Sequence, residues 1–225
     1  MRRAGQGDIT AALGGEILSG ARKPGERMPS DADMLKTFGV SRVVTREVIK
    51  TLAAKGLVAS RMKVAELEFA FRMGRDLPPR PTPYTEDEVL AAVATLHPAI
   101  EIPDSRYEHF TTVGIAQLVA DNACAHRFIL GPAASGDWRG LDLAAHRGRA
   151  FRNGAPAGEG IGSNVLGGPV TALTWLANEF SRHGLTLQAG QVVTTGTCLA
   201  PLPIAAGEHI EGDLGSLGRV SVTIT

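Results

Sequence analysis

Three glutamates have types and spacing that suggest chemistry. Glu66 and Glu68 lie two residues apart in Val64–Phe71, a stretch whose alternation predicts a buried strand. On a strand that spacing puts both carboxylates on one face. Side by side they are costly unless a cation or a proton lies between them. Glu101, in Pro98-Ala99-Ile100-Glu101-Ile102-Pro103-Asp104-Ser105-Arg106, is a third candidate. Three converging carboxylates would suit Mg²⁺ (or Mn²⁺), which keeps waters that a ligand can displace. The Glu-x-Glu pair alone is a weak signal, since two solvated glutamates are commoner.

A second group is Ser41, Arg42, Thr45 and Arg46, with Val43 among them. Arginine can bond bidentately to guanine, and Ser or Thr can reach a phosphate or a base. The elements that would present them are three short helices. Asp8 is a candidate cap for a helix carrying Ile9, Leu13, Ile17 and Leu18, which Lys23-Pro24-Gly25 breaks. Ser30 caps a second, with Met34, Leu35 and Phe38 on its apolar side and Gly39 at its end. Ser41 caps a third, in which Val44, Val48 and Leu52 recur at spacing four, and Gly56 closes it. Only Gly39-Val40-Ser41 separates the second and third, the short turn of a helix-turn-helix. In such a unit the first residues of the third helix face base edges of double-stranded DNA. The plainer alternative is a three-helix bundle with incidental arginines.

Charge divides the chain at the same place. The formal net charge is +0, yet residues 1–63 carry 12 Lys and Arg against 6 Asp and Glu, and residues 64–225 carry 11 against 17. All five lysines (Lys23, Lys36, Lys50, Lys55, Lys63) fall in the first part. A basic segment ahead of an acidic one suggests separate partners, with solvated charged faces as the bland alternative. The apolar fraction, 44%, is that of a globular protein. No apolar run is long enough for a membrane span or a signal peptide. Cys124 and Cys198 lack metal-type spacing and form no disulfide framework, so a reducing cytoplasm is expected.

The other elements read more plainly. Thr85 caps a helix start at Glu86, and an amphipathic helix is expected from about Thr171 to Arg182. Gly207 to Thr225 alternates, with turns expected at Gly212, Gly215 and Gly218. Gly158-Glu159-Gly160-Ile161-Gly162 lacks the context of a phosphate loop and reads as a plain loop. Trp138 and Trp175 read as packing residues, the six histidines as structural or exposed, and both cysteines as small buried hydrophobes.

Two family resemblances sharpen this. Lys23-Pro24-Gly25-Glu26-Arg27-Met28-Pro29-Ser30, Phe38-Gly39-Val40-Ser41-Arg42, Arg46-Glu47-Val48-Ile49-Lys50-Thr51-Leu52 and Lys55-Gly56-Leu57-Val58 resemble the GntR family of bacterial regulators. The resemblance implies a winged helix-turn-helix, but Ser60-Arg61-Met62-Lys63-Val64 runs into Ala65-Glu66-Leu67-Glu68 without the glycine of a wing hairpin. The wing therefore reads as cut off halfway. Arg61 and Lys63 are left as candidate phosphate contacts.

From about residue 65 the chain is similar to the fumarylacetoacetate hydrolase superfamily, in its 2-keto-4-pentenoate hydratase branch. The matching stretches include Glu66-Leu67-Glu68-Phe69-Ala70-Phe71, Ile100-Glu101-Ile102-Pro103-Asp104-Ser105-Arg106, Ala120-Asp121-Asn122-Ala123, Asn164-Val165-Leu166-Gly167 and Gly190-Gln191-Val192-Val193-Thr194-Thr195-Gly196-Thr197. That resemblance implies a divalent metal on Glu66, Glu68 and Glu101, and a small 2-keto acid near Asn122, Thr195, Gly196 and Thr197. It also implies a proton-moving lysine and acid ahead of the Glu-x-Glu strand, where this chain carries the helix-turn-helix instead. No lysine follows Lys63 to replace them. No catalytic residue is therefore assigned.

The expected fold class is α+β: a GntR-type winged helix-turn-helix over 1–63, then a mostly β core of the fumarylacetoacetate hydrolase type over 64–225, lacking its N-terminal part. A homodimer is expected by analogy with both families. Three functions compete: a regulator sensing or weakly processing a 2-keto acid of catabolism, a hydratase-type lyase with an idle N-terminal segment, and a deletion fusion with neither activity complete.

Overall fold

The computed structural model describes residues 5–23, 26, 28–55, 57, 64–105, 107 and 113–224. The chain folds into two compact units, Met1–Arg61 and Met62–Thr225. Among the described residues there are six α-helices and nine strands. No helix is long and apolar enough to cross a membrane.

In the first unit, α1 (Gln6–Leu18), α2 (Asp31–Phe38) and α3 (Arg42–Ala54) surround a core of Ile9, Leu13, Met34, Val40, Val48 and Leu52. Asp8 does not cap α1. Gly5 holds that position, and the Asp8 carboxylate, three residues in, accepts the Gly5 amide at 3.0 Å. Ser30 does cap α2: its hydroxyl accepts the Asp33 amide at 3.2 Å, and Asp33 accepts the Ser30 amide in return. Gly39 ends α2 at φ 68°, as expected of a left-handed cap. Leu35 departs from expectation and is 61% exposed, because the apolar stripe of α2 runs through Met34 and Phe38 alone. The expected wing stretch Ser60–Lys63 lies outside the described residues.

The second unit is built on two antiparallel sheets. One has the order β3 (Arg127–Leu130), β2 (Val93–Ile102), β1 (Val64–Met73), β6 (Val192–Thr197), with β7 (Leu202–Pro203) also pairing β1. The other has the order β5 (Ala155–Ile161), β4 (Arg147–Arg152), β8 (His209–Asp213), β9 (Arg219–Thr223). Strand β1 is central and buried on both faces, so its alternation sorts two environments. Leu67, Phe69 and Phe71 belong to the large apolar core, Phe69 lying edge-on to His146 and Phe71 against Trp138. Glu66 and Glu68 alternate with these and take the opposite face.

Close approach explains two glycine assignments that the sequence misplaces. Gly212 is inside β8 rather than at a turn, because a Cβ there would lie 2.4 Å from Leu67 Cδ1. The turn comes at Gly215 to Gly218. Gly158–Ile161 is strand, not loop, and Gly160 passes so near the chain that a Cβ would meet the Cys198 carbonyl oxygen at 2.1 Å.

A short helix, α5 (Ile115–Ala120), follows β2, and two other helices pack on the core. Thr85 caps α4 (Glu86–Ala92) in reciprocal bonds with Glu88. The side chain of Asn178 on α6 (Pro169–Arg182) brackets Tyr84, accepting its amide at 2.7 Å and donating to its carbonyl at 3.0 Å. Leu173 and Ala177 form the buried stripe of α6. Trp138 is buried as expected, whereas Trp175 is 56% exposed, since it sits off that stripe.

Candidate metal centre

Antiparallel register brings the three glutamates together. Glu66 pairs directly with Glu101, and Glu68 pairs with Ala99 next to it. Directly paired residues share a face, so carboxylates far apart in sequence point the same way. One oxygen from each lies within 4.8 Å of the others. Glu68 is fully buried, while Glu66 and Glu101 are half-buried.

Burial raises all three carboxyls, and Glu101 adds to the rise of Glu66. Glu68 is pushed up to about 8, first by burial and then by the charges of Glu101 and Glu66 and a carboxyl–carboxyl bond with Glu101, against the lowering effect of the Gly196 amide. Among the described residues, no cation contributes to any of the three shifts. Glu68 Oε1 is buried without a hydrogen-bond partner among the described residues. An orphaned buried carboxylate oxygen is costly, and a divalent ion would satisfy it. The donors are hard oxygens only, which suits Mg²⁺ or Mn²⁺.

Strand β6 holds the other oxygen of Glu68. The register between β1 and β6 shifts between Glu68 and Ala70, which pair with Thr197 and Thr194, so β6 carries one extra residue. Gly196 takes φ 99° in that bulge, which favours glycine. Its amide donates to Glu68 Oε2 at 3.0 Å, and the Thr194 hydroxyl donates to the same oxygen. The sequence places Thr195, Gly196 and Thr197 by a ligand. Gly196 does meet the acid cluster. The hydroxyls of Thr195 and Thr197 instead donate to the carbonyls of Phe69 and Leu199 at 2.9 and 2.8 Å. Thr194 escapes a reading of the sequence alone. The signal for it is the glycine two residues on, since a bulge there displaces which threonine faces the neighbouring strand.

Asn122 is exposed, in a turn where Asn122, Ala123 and Cys124 take φ 53°, 50° and 58° in succession. Left-handed conformations cost non-glycine residues roughly 1–2 kcal/mol each. The turn is braced from both sides. The Cys124 carbonyl accepts the Asp104 amide at 2.9 Å, and the Ser105 hydroxyl donates to buried Asp121 at 2.6 Å. Burial pushes the Cys124 thiol up, with Glu101, Glu66 and Asp121 adding to it, so this turn borders the acid cluster. Cys198 is fully buried and pushed up to about 12, as befits an inert packing residue. His97 and His146 are tied to the Gly131 and Leu214 carbonyls, and His126 is exposed.

In the first unit, Ser41, Arg42 and Arg46 are exposed at the start of α3, and Arg42 faces Asp31 at 3.7 Å. Thr45 is buried, with its hydroxyl turned back to the Ser41 carbonyl at 3.3 Å. Its side chain packs within the unit.

Residues 6–65 match the family of bacterial regulatory proteins called gntR. The chain is 39% identical over 176 residues to 2-hydroxyhexa-2,4-dienoate hydratase of Comamonas testosteroni, covering 78% of this chain and 64% of that protein. It is 35% identical over 155 residues to 2-keto-4-pentenoate hydratase of Paraburkholderia xenovorans, covering 69% and 56%. A segment matching the gntR family is here continued by a region similar to these hydratases. The chain spans under two thirds of the length of either hydratase. The fold of the chain also matches a solved 4-oxalocrotonate decarboxylase from Pseudomonas putida G7, at TM-score 0.65 and 22% identity over 100% of both chains. That structure was solved with magnesium and adipate.

Proposed function

We propose that this protein is a DNA-binding regulator whose hydratase-like region holds a divalent cation and, through it, a small 2-keto acid. The observation that carries the reading is the convergence of Glu66, Glu68 and Glu101 around a buried, unpartnered Glu68 oxygen. Gly196 and Thr194 occupy Glu68 Oε2, which leaves Oε1 for the cation. A bound Mg²⁺ or Mn²⁺ would supply Lewis acidity toward the carboxylate and keto oxygens of a chelating keto acid. The relatives named as hydratases, and a decarboxylase solved with magnesium, support that ligand class. On the DNA side, the exposed Ser41, Arg42 and Arg46 at the head of α3 are the groups assigned to contact a duplex.

A second reading, residual hydratase-type turnover, draws on Glu68, which keeps its proton near neutral pH in the metal-free site. Against it stands the want of any lysine beyond Lys63. Isothermal titration with Mg²⁺ and then pyruvate, repeated on Glu66→Ala, tests the ligand reading. Heat from the wild type alone is expected, and no heat from the wild type overturns it. Consumption of a 2-hydroxydienoate, followed by the loss of its ultraviolet absorbance, would favour turnover.

A further inference from the structure

Strand β3 extends the face on which the acid cluster sits. Glu101 pairs with Glu66 on one side and with Phe128 on the other. Two residues along, Ala99 pairs with Glu68 and with Leu130. Directly paired residues share a face, so Phe128 and Leu130 stand on the carboxylate side of the sheet. Their neighbours take the other side: Ile129 pairs with Ile100 and packs on the core, and Arg127 pairs with Ile102. Phe128 is 43% exposed, on a strand whose next residue packs on the core. Paired Cβ atoms lie about 5 Å apart, so this uncovered aromatic side chain stands beside Glu101. Leu130, half-buried, continues the apolar surface next to Ala99.

The strand is fixed at both ends. Ahead of it, the Cys124 carbonyl accepts the Asp104 amide at 2.9 Å, and beyond it the Gly131 amide donates to the Pro98 carbonyl at 2.9 Å. A Cβ on Gly131 would lie 2.7 Å from that same carbonyl oxygen, so β3 sits hard against β2. An aromatic side chain on a strand held this way presents its surface at little ordering cost. On the opposite side of the cluster, toward β6, the face is taken up by the bonds of Thr194 and Gly196 to Glu68.

We infer that Phe128 is a specificity-determining residue, the wall against which the carbon tail of a metal-chelated 2-keto acid lies. This rests on the reading that Glu66, Glu68 and Glu101 hold a divalent cation and, through it, such an acid. The carboxylate and keto oxygens of the ligand are fixed at the cation, so its tail leaves across the same face. Toward β3 that face offers Phe128 and Leu130. An apolar tail gains there by removing aromatic surface from water. A tail ending in a second carboxylate would lose hydration against the aromatic side chain. It would also meet negative charge, since one divalent cation does not cancel three glutamates.

The experiment is titration calorimetry on the full chain, first with Mn²⁺ and then with pyruvate, 2-oxopentanoate and 2-oxoglutarate. 2-Oxopentanoate is pyruvate lengthened by two methylenes, and 2-oxoglutarate has the same carbon chain with a carboxylate at its far end. Burial of one methylene is worth about 4-fold in affinity, so 2-oxopentanoate should bind at least about 5-fold more tightly than pyruvate. 2-Oxoglutarate should bind more weakly than 2-oxopentanoate. Phe128→Ala should bring 2-oxopentanoate within about 2-fold of pyruvate and leave the affinities for Mn²⁺ and pyruvate within about 2-fold of the wild type. Phe128→Thr, whose β-branched side chain suits a strand, should behave in the same way and serves if the alanine variant fails to fold. Phe128→Leu should keep most of the preference. No Mn²⁺ heat overturns the metal reading, and Mn²⁺ heat without heat from any keto acid overturns the ligand reading; the role of Phe128 falls with either. Keto-acid binding that ignores tail length, that accepts 2-oxoglutarate as well as 2-oxopentanoate, or that keeps its preference in Phe128→Ala overturns the role of Phe128 alone. So does a Phe128→Ala chain whose sedimentation mass halves, since the side chain would then cover a second copy.

Discussion

The Gly196 amide donates to Glu68 Oε2 at 3.0 Å from a bulge that only a left-handed residue closes, at φ 99°. A carboxylate two positions from another on β1 is thereby fixed by a neighbouring strand rather than by its own. Gly196→Ala tests the relationship. An open surrounding leaves room for the methyl group, whose nearest neighbour is Val165 Cγ1 at 3.9 Å, so the cost is conformational, about 1–2 kcal/mol. The expected outcome is a fall of several degrees in thermal midpoint. Mn²⁺ affinity should drop at least about 10-fold by calorimetry, and an unchanged affinity would show that the amide does not position Glu68.

Thr194→Val removes the second donor to the same oxygen while keeping a β-branched shape on the strand. Mn²⁺ affinity should fall, because Glu68 loses a bond that orients it. Thr195→Val removes only a bond to the Phe69 carbonyl and should leave metal affinity within about 2-fold. Equal effects of the two would refute the assignment of Thr194 over Thr195.

Metal-free protein should lose stability as pH rises. Glu68 lies at about 8 in the fold against an ordinary 4.5, so the folded state holds the proton more tightly than the unfolded chain. Its contribution is full below pH 4.5 and is lost as pH climbs to about 8, roughly 5 kcal/mol over that whole window and about 3 kcal/mol of it between pH 6 and pH 9. Urea denaturation in chelator at pH 6 and pH 9 measures it. With saturating Mn²⁺ the loss should shrink, because the cation replaces the proton. Below pH 8, metal binding should release protons, which calorimetry in buffers of different ionisation enthalpy detects.

Much of this was legible in the sequence because it rests on period and spacing. The alternation of Val64–Phe71 puts Glu66 and Glu68 on one face, and the short turn at Gly39 divides α2 from α3. What the sequence hid were features set by other elements. Gly212 and Gly160 look like turn or loop glycines, yet each exists for the approach of Leu67 or the Cys198 carbonyl from a distant strand. Thr45 has the type and place of a base-contacting residue, but its position on α3 turns it into the unit. The direct pairing of Glu66 with Glu101 is long-range register, which no local pattern encodes.

Arg46 and Thr45 should separate cleanly as variants. Arg46→Ala removes an exposed cation at the head of α3. It should weaken duplex binding and, if the contact is to phosphate, reduce the salt slope of binding by about one. Thr45→Ala leaves the exposed face of α3 intact and removes a buried hydroxyl already bonded to the Ser41 carbonyl. It should lower stability by about 1 kcal/mol and change duplex affinity little once the folded fraction is accounted for. Anisotropy titrations at several salt concentrations, with circular dichroism melts, read both. A Thr45→Ala protein that stays folded and loses affinity as Arg46→Ala does would restore Thr45 as a DNA contact.

Gly160→Ala tests the packing of the second sheet against the turn that follows β6. The added methyl would sit 2.1 Å from the Cys198 carbonyl oxygen and 2.9 Å from Leu199 Cα, both backbone atoms that no rotamer change can move. Overpacking of this kind costs typically about 1–3 kcal/mol. Because Cys198 donates its amide to the Leu67 carbonyl, relief by displacing the turn would also disturb β1 between Glu66 and Glu68. The variant should therefore lose both stability and Mn²⁺ affinity. Gly154→Ala, at the exposed tip of the β4–β5 hairpin with open space around it, carries only backbone strain and should keep its Mn²⁺ affinity. If both variants bind Mn²⁺ like the wild type, the turn after β6 does not support the acid cluster.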